Sequence, residues 1–260
     1  MRIGIERLTG RDQAREAYPC VEGPTLWAEG LPLSQQWFAA NLGEHIEGFH
    51  LKDLEEGRVI GHIYWAPSER ALVPYEIEDR VAFLYCEWVQ TPYRGRGLMR
   101  RLFGEFIEAL KQEGYKGVLV DGTEIEDYMH YSHFAKRGFR VIQDFGQFKL
   151  MYLPLAQEEV AVRRLEPKVP VEERAPVEVL IIGSRFCPVG SVAVLLVRKV
   201  AEAEEFRGKV LIEEVPATRE AIARYGVADG IFINGKMKFL GPVGEEGVRR
   251  AIQEELGRTD

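Results

Sequence analysis

Val81-Ala82-Phe83-Leu84-Tyr85-Cys86-Glu87-Trp88-Val89 runs straight into Gln90-Thr91-Pro92-Tyr93-Arg94-Gly95-Arg96-Gly97-Leu98-Met99. The first nine residues are rich in aromatic and β-branched side chains, as a buried strand requires. From Leu98 to Glu113 the apolar residues Leu98, Leu102, Phe103, Phe106, Ile107 and Leu110 recur at helical spacing, and Gly114 supplies a stop. The sequence therefore predicts a strand, a glycine-containing turn and an amphipathic helix in direct succession. Such a turn leaves several backbone N–H groups unpaired and aligned, with the positive end of the helix dipole behind them. It suits a phosphate group. Gly95 and Gly97 let the backbone approach an anion closely, and Arg94 and Arg96 add charged donors. A merely basic, flexible turn is the plainer reading of Arg-Gly-Arg-Gly; the strand before it and the helix after it favour the anion cradle.

Working outward, EGFHLKDLEEGRVIGHIYWAP, residues 47–67, reads as two strands joined at Glu55-Glu56-Gly57. GVLVDG, residues 117–122, gives a strand, Asp127 to Arg137 a helix ended by Gly138, and FGQFKLMYL a last strand. Residues 154–176 contain four prolines and dense charge with little periodicity, and read as a linker. Beyond it come VEVLIIG, SVAVLLVRKVAEAEEF, KVLIEEV, ATREAIARYG, the pair IFING and KMKFLG, and EEGVRRAIQEEL, in the order βαβαββα. The expected fold class is α/β (α+β), with domains at 1–153 and 177–260 on either side of the linker.

Composition narrows the function. At 260 residues the chain exceeds one typical domain. No run approaches the ~20 apolar residues of a membrane helix, and the opening MRIGIERLTGRDQ has no apolar signal core, so a cytoplasmic protein off the membrane is expected. A net charge of −7 argues against a nucleic-acid partner and favours a cationic substrate such as an amine. Cys20, Cys86 and Cys187 are too few and too widely spaced for a disulfide framework or a CxxC zinc site. His130 and His133 lack a third ligand, so no metal is expected.

The turn resembles the RxxGxG/A signature of the GNAT superfamily of acetyltransferases, read as Arg94-Gly95-Arg96-Gly97-Leu98-Met99, and Val89 with Pro92-Tyr93 resembles its lead-in. The resemblance covers about residues 1 to 153. It implies a mixed-sheet fold and acetyl-CoA as the acyl donor, with the pyrophosphate on the turn and the pantetheine arm along a splayed strand. The cofactor residues it implies are Val89, Arg94, Gly95, Arg96, Gly97, Leu98 and Met99. Met99 departs from the usual Gly or Ala. Direct transfer to a primary amine needs a base, polarisation of the thioester carbonyl and an acid for the leaving thiolate. A backbone N–H near Val89 can polarise the carbonyl, and Glu87 is the candidate base, with an ordinary strand residue as the plainer alternative. The tyrosine that family members carry four residues before Gly-Phe is here Phe134; Tyr131 and His133 are the nearest substitutes, and Tyr131 is preferred. Glu76, Glu78, Asp79, Glu124, Glu126 and Asp127 cluster in loops where they would attract an amine.

Ser184-Arg185-Phe186-Cys187-Pro188-Val189-Gly190 follows a strand and opens a helix, which resembles the redox turn of the thioredoxin fold. Gly190 stands where a resolving cysteine would be, and Asp229 or Gly230 where a cis-proline is expected. The dipole would stabilise a Cys187 thiolate, but without a partner sulfur it cannot cycle as a dithiol. An acetyltransferase domain followed by this segment resembles the YoaP-type proteins of bacteria. The expected role of the second domain is docking, substrate capture or dimerisation. Two rivals stay open: a CoA-binding module that has lost catalysis, and a thiol-reactive protein acting through Cys187.

Overall fold

The computed structural model describes residues 2–183 and 185–258, so Ser184 of the cysteine turn lies outside the described residues. Among the described residues there are thirteen strands and six α-helices. In the N-terminal half they are β1 (Ile3–Arg7), α1 (Leu31–Asn41), β2 (Glu47–Asp53), β3 (Arg58–Pro67), β4 (Tyr75–Ile77), β5 (Val81–Val89), α2 (Leu98–Gln112), β6 (Gly117–Thr123), α3 (Tyr131–Ala135), β7 (Arg140–Asp144) and β8 (Phe148–Pro154). The C-terminal half has β9 (Val162–Arg164), β10 (Val177–Gly183), α4 (Pro188–Ala201), β11 (Val210–Pro216), α5 (Arg219–Tyr225), β12 (Gly230–Ile233), β13 (Lys236–Phe239) and α6 (Glu245–Leu256). The mixed α/β class expected from the sequence is observed.

The chain divides into two compact units that are not simple halves. The first comprises residues 1–22, 38–71 and 76–163; the second comprises 23–37, 72–75 and 164–260. The expected linker is also partly ordered, since β9 pairs with β4.

A seven-stranded sheet in the order β1-β2-β3-β5-β6-β8-β7 forms the frame of the first unit. Neighbours are antiparallel except β5 and β6, whose connection is the amphipathic helix α2. A parallel pair needs such a crossover. Leu98, Leu102, Phe103, Phe106 and Leu110 are the buried side chains of α2, and they pack on Ile63, Trp65, Ala82, Leu84 and Val118 of the sheet. At about 1.5–3 kcal/mol for each large apolar side chain, this face fixes the helix more strongly than helix propensity does.

One expected element is shorter than predicted. Asp127 to Arg137 is not one helix: Asp127 and Met129 take positive φ, and only Tyr131–Ala135 is helical. The cause is Thr123 at the end of β6, whose N–H donates to the Met129 carbonyl (2.9 Å) and whose hydroxyl accepts from the Ile125 N–H (3.1 Å). These bonds fold residues 124–130 into a loop before a helix can start.

The second unit holds a four-stranded sheet ordered β11-β10-β12-β13, with β10 parallel to β11 and antiparallel to β12. Val177, Val179 and Ile181 of β10 meet Val194 and Val197 of α4 and Val248 and Ile252 of α6 in its core.

Candidate acyl-donor site

Strand β5 pairs with β6 only through Val81–Leu84 against Gly117–Val120, although β5 continues to Val89 and β6 to Thr123. The two strands part where β5 reaches Tyr85. Cys86–Val89 keep their partners on β3, where the register shifts at Tyr85 between Tyr64 and Trp65, while β6 pairs with none of Tyr85–Val89. A wedge of this kind offers strand-like hydrogen bonding to an extended, amide-bearing ligand.

The wedge opens onto the glycine turn. Gly95 and Gly97 have φ of 75° and 73°, a region that costs side-chain-bearing residues about 1–2 kcal/mol. No heavy atom lies within 4 Å of where a Cβ would stand on either, so both face open space. Gly97 caps α2, and the N–H groups of the helix's first turn have no partners inside the helix. The turn is nevertheless firmly held. Buried Tyr93 accepts from Arg58 Nη2 (2.9 Å), and its hydroxyl lies 3.3 Å from Asp53 Oδ2. Arg94 Nε donates to the Val89 carbonyl (3.1 Å), and its guanidinium lies 4.4 Å from the centre of the Trp88 ring. Glu22 accepts from the Trp88 indole (3.0 Å) and the Thr91 N–H (3.1 Å). Leu98 is buried and half-buried Met99 packs against the core, so neither side chain blocks the turn. Arg94, Gly95, Arg96 and Gly97 are thus the exposed part of the turn, and Val89, Leu98 and Met99 anchor its two ends in the core.

The two candidate catalytic residues lie on different elements, Glu87 on β5 and Tyr131 at the start of α3. Glu87 lies on β5 with its side chain 8% exposed, and both carboxylate oxygens accept from Arg137 Nη1 at 2.6 Å. Burial raises its pKa, and Arg137 pulls in the opposite direction. Tyr131 begins α3 and packs against Gly122 of β6, where an added Cβ would stand 2.9 Å from the Tyr131 Cβ. Phe134 is fully buried against Phe139, a core residue where the sequence comparison looks for an acid. Of the acidic loop residues, Glu78 is spent on Lys116, Gln157 and the Ala161 N–H, Glu76 on Arg163, and Glu124 on Lys149.

Sequence reasoning missed two features. Arg137 and Glu22 carry no local signal, because their partners lie 50 and 66 or more positions away. Buried His50 and His62 carry no local signal either. His50 Nε2 lies 2.9 Å from the Tyr64 hydroxyl and His62 Nε2 3.4 Å from Cys86 Sγ, while both Nδ1 atoms have no hydrogen-bond partner. Burial drives His50 down to about 3 and His62 well below the ordinary imidazole range. Both rings are neutral at physiological pH.

Cys187 caps α4. Burial pushes its thiol up; the N–H groups of Val189 and Gly190 act against this, and Asp229 adds to it. The dipole effect expected from the sequence is outweighed by lost solvation. Among the described residues no peptide bond is cis, and no group of three or more His, Cys, Asp or Glu side chains is placed to hold a metal. No helix among them is long and apolar enough to cross a membrane.

Residues 12–139 match the family model described as Acetyltransferase (GNAT) family. Solved structures similar to the chain include a GNAT-family acetyltransferase from Desulfovibrio desulfuricans (15% identity, 59% of this chain and 99% of that one, TM-score 0.47). The ribosomal-protein-S18-alanine N-acetyltransferase of Escherichia coli is another (18%, 61% and 97%, 0.42). So is the PaiA N-acetyltransferase of Thermoplasma acidophilum in complex with coenzyme A (16%, 60% and 100%, 0.42). No curated protein matches the chain. On the family match, which falls on the strand, turn and helix described above, residues 12–139 carry an acetyltransferase domain of the GNAT family.

Proposed function

We propose that the protein is an acetyl-CoA-dependent N-acetyltransferase that works by direct attack of a primary amine on the bound thioester. The observation that carries this reading is the continuity of the wedge beyond Leu84 with the open, left-handed turn at Gly95 and Gly97. The turn's N–H groups and Arg96 take the pyrophosphate, and the edge of β5 beyond Leu84, where β6 has parted from it, takes the pantetheine amides. An N–H near Val89 polarises the carbonyl. Glu87, oriented by Arg137, draws the proton from the amine through water, and Tyr131 returns one to the departing thiolate. The acceptor is a small amine or a peptide amine, met in the cytoplasm, with no nucleic acid or membrane involved; a homodimer is compatible with this scheme.

The domain reading, with residues 1–153 as the transferase and 177–260 as a thioredoxin-like, YoaP-like domain, is supported by the sheet order β11-β10-β12-β13 and by Cys187 at the strand-to-helix turn. Phe134 in the core favours a second reading, a CoA-binding module without turnover.

Thermal unfolding with saturating acetyl-CoA tests the first step. Donor at ~100 times its dissociation constant stabilises the natural chain by roughly 2.7 kcal/mol, and the effect disappears in Arg94→Ala combined with Arg96→Ala. An equal shift in the double variant refutes the placement. Given donor binding, Glu87→Gln is expected to lower kcat by about 10²-fold or more with little change in donor affinity, and an amine panel without turnover selects the non-catalytic reading.

A further inference from the structure

Three features around Cys187 have no place in acyl transfer. Gly30 is buried against the start of α4: a Cβ there would overlap the carbonyl oxygen of Pro188 and stand 2.9 Å from Val192 Cγ2. Ser34 and Ser191, both fully buried, share a hydrogen bond of 2.9 Å between their hydroxyls. Trp37 meets Phe186 edge to face at 5.8 Å. Residues 23–37 belong to the second compact unit, although they lie more than 140 positions before the turn they touch.

We infer that the cysteine turn of the second unit is a docking socket whose occupant is the chain's own segment 23–37. Phe186, Pro188, Ser191 and Val192, which flank Cys187 on both sides in sequence, are the residues the segment covers. The contact is specific. Glycine is required where the backbone of residue 30 presses on a carbonyl, and a buried hydroxyl pair penalises any register that separates its two members. An exposed helix N-terminus beside a cysteine would favour the thiolate. Here Gly30 covers Pro188 and Val192 at the start of the helix and lost solvation works against the thiolate, so Cys187 serves packing. The same segment adds Trp37 to the cluster of Leu72, Ala217 and Ile222, so a fragment beginning at residue 164 would expose part of its own core. The socket accounts for a unit that keeps the strand-to-helix turn of a thiol protein while lacking the second sulfur.

The inference is independent of the acetyltransferase reading, and its test needs no acyl donor. Alkylation of the full-length protein by iodoacetamide, followed at the Cys187 peptide by mass spectrometry, reads how well the socket is closed. The native chain is expected to react at least tenfold more slowly at Cys187 than after unfolding in urea at the same pH, and Gly30→Val to recover most of that factor. Native Cys187 reacting as fast as the unfolded chain would overturn the inference, and so would Gly30→Val leaving a slow native rate unchanged. Should Gly30→Val not fold, Ser34→Ala, Ser191→Ala and their combination decide. Each single change strands one buried hydroxyl and speeds alkylation, while the double change lies closer to the native rate than the product of the singles. Simple multiplicativity of the two would refute the docking contact.

Discussion

Two strand-to-helix connections, the one from β5 into α2 and the one from β10 into α4, do opposite things. At the first, the glycines face open space and the helix's free N–H groups are available. At the second, the first helical residue is pressed against Gly30, and the N–H groups of Val189 and Gly190 are directed at the half-buried Cys187 sulfur. A helix N-terminus is an anion site only where its donors meet solvent or ligand; covered by its own chain, it becomes a packing surface. Both places join a strand to a helix, and accessibility makes the difference.

The sharpest way to separate the two units is acid. All five histidines, His45, His50, His62, His130 and His133, lie in the first unit. His50 and His62 have folded pKa values depressed below the unfolded ~6.5, so as pH falls the unfolded chain takes up protons that the folded one refuses. Stability is therefore intact above ~6.5 and falls below it, by about 1.4 kcal/mol per pH unit for each ring. Between pH ~6.5 and ~5 the first unit should therefore lose stability steadily, read from urea unfolding at several pH values. The second unit has no histidine. Its low-titrating carboxylates, Glu255 beside Lys238 and Glu214, which Arg185 and Arg198 hold down against its own burial, lose their contribution only below about pH 4.5, and Asp229, which burial raises to about 6, adds stability as pH falls through that value. A flat profile for the first unit down to pH 5 would break the distinction.

The next largest effect lies at the open turn. Gly97→Val places a β-branched residue at φ 73° with no protein atom in its way, so the backbone penalty of about 1–2 kcal/mol is all the fold suffers. Donor affinity measured by calorimetry is expected to drop tenfold or more, because the added side chain occupies the anion's approach. A variant that binds acetyl-CoA normally would show that the turn's openness is incidental. The smallest effect is expected at the other turn: Cys187→Ala should change turnover by less than twofold and stability by about 1 kcal/mol or less, read by initial rates and by melting. Loss of activity there would return the thiol to the chemistry.

Much of the architecture was legible before any coordinates because it rests on short-range rules. The α2 stripe, the hairpin at Glu55–Gly57 and the βαβαββα order of the C-terminal residues all depend on spacings of a few positions. The helix expected from Asp127 misled for the converse reason: Thr123, a residue outside the periodic window, captures the loop.

By itself the sequence determined the turn, since a strand, two glycines and an amphipathic helix in succession leave the backbone few other choices. It also determined the family likeness that residues 12–139 bear out. Only tertiary structure decided that Glu87 would be tied to Arg137, that His50 and His62 would be buried and neutral, and that residues 23–37 would lie on α4. The physical reason is that desolvation, ion pairing and close packing depend on which distant residues arrive at the same place, and nothing in the local pattern of a segment records its eventual neighbours.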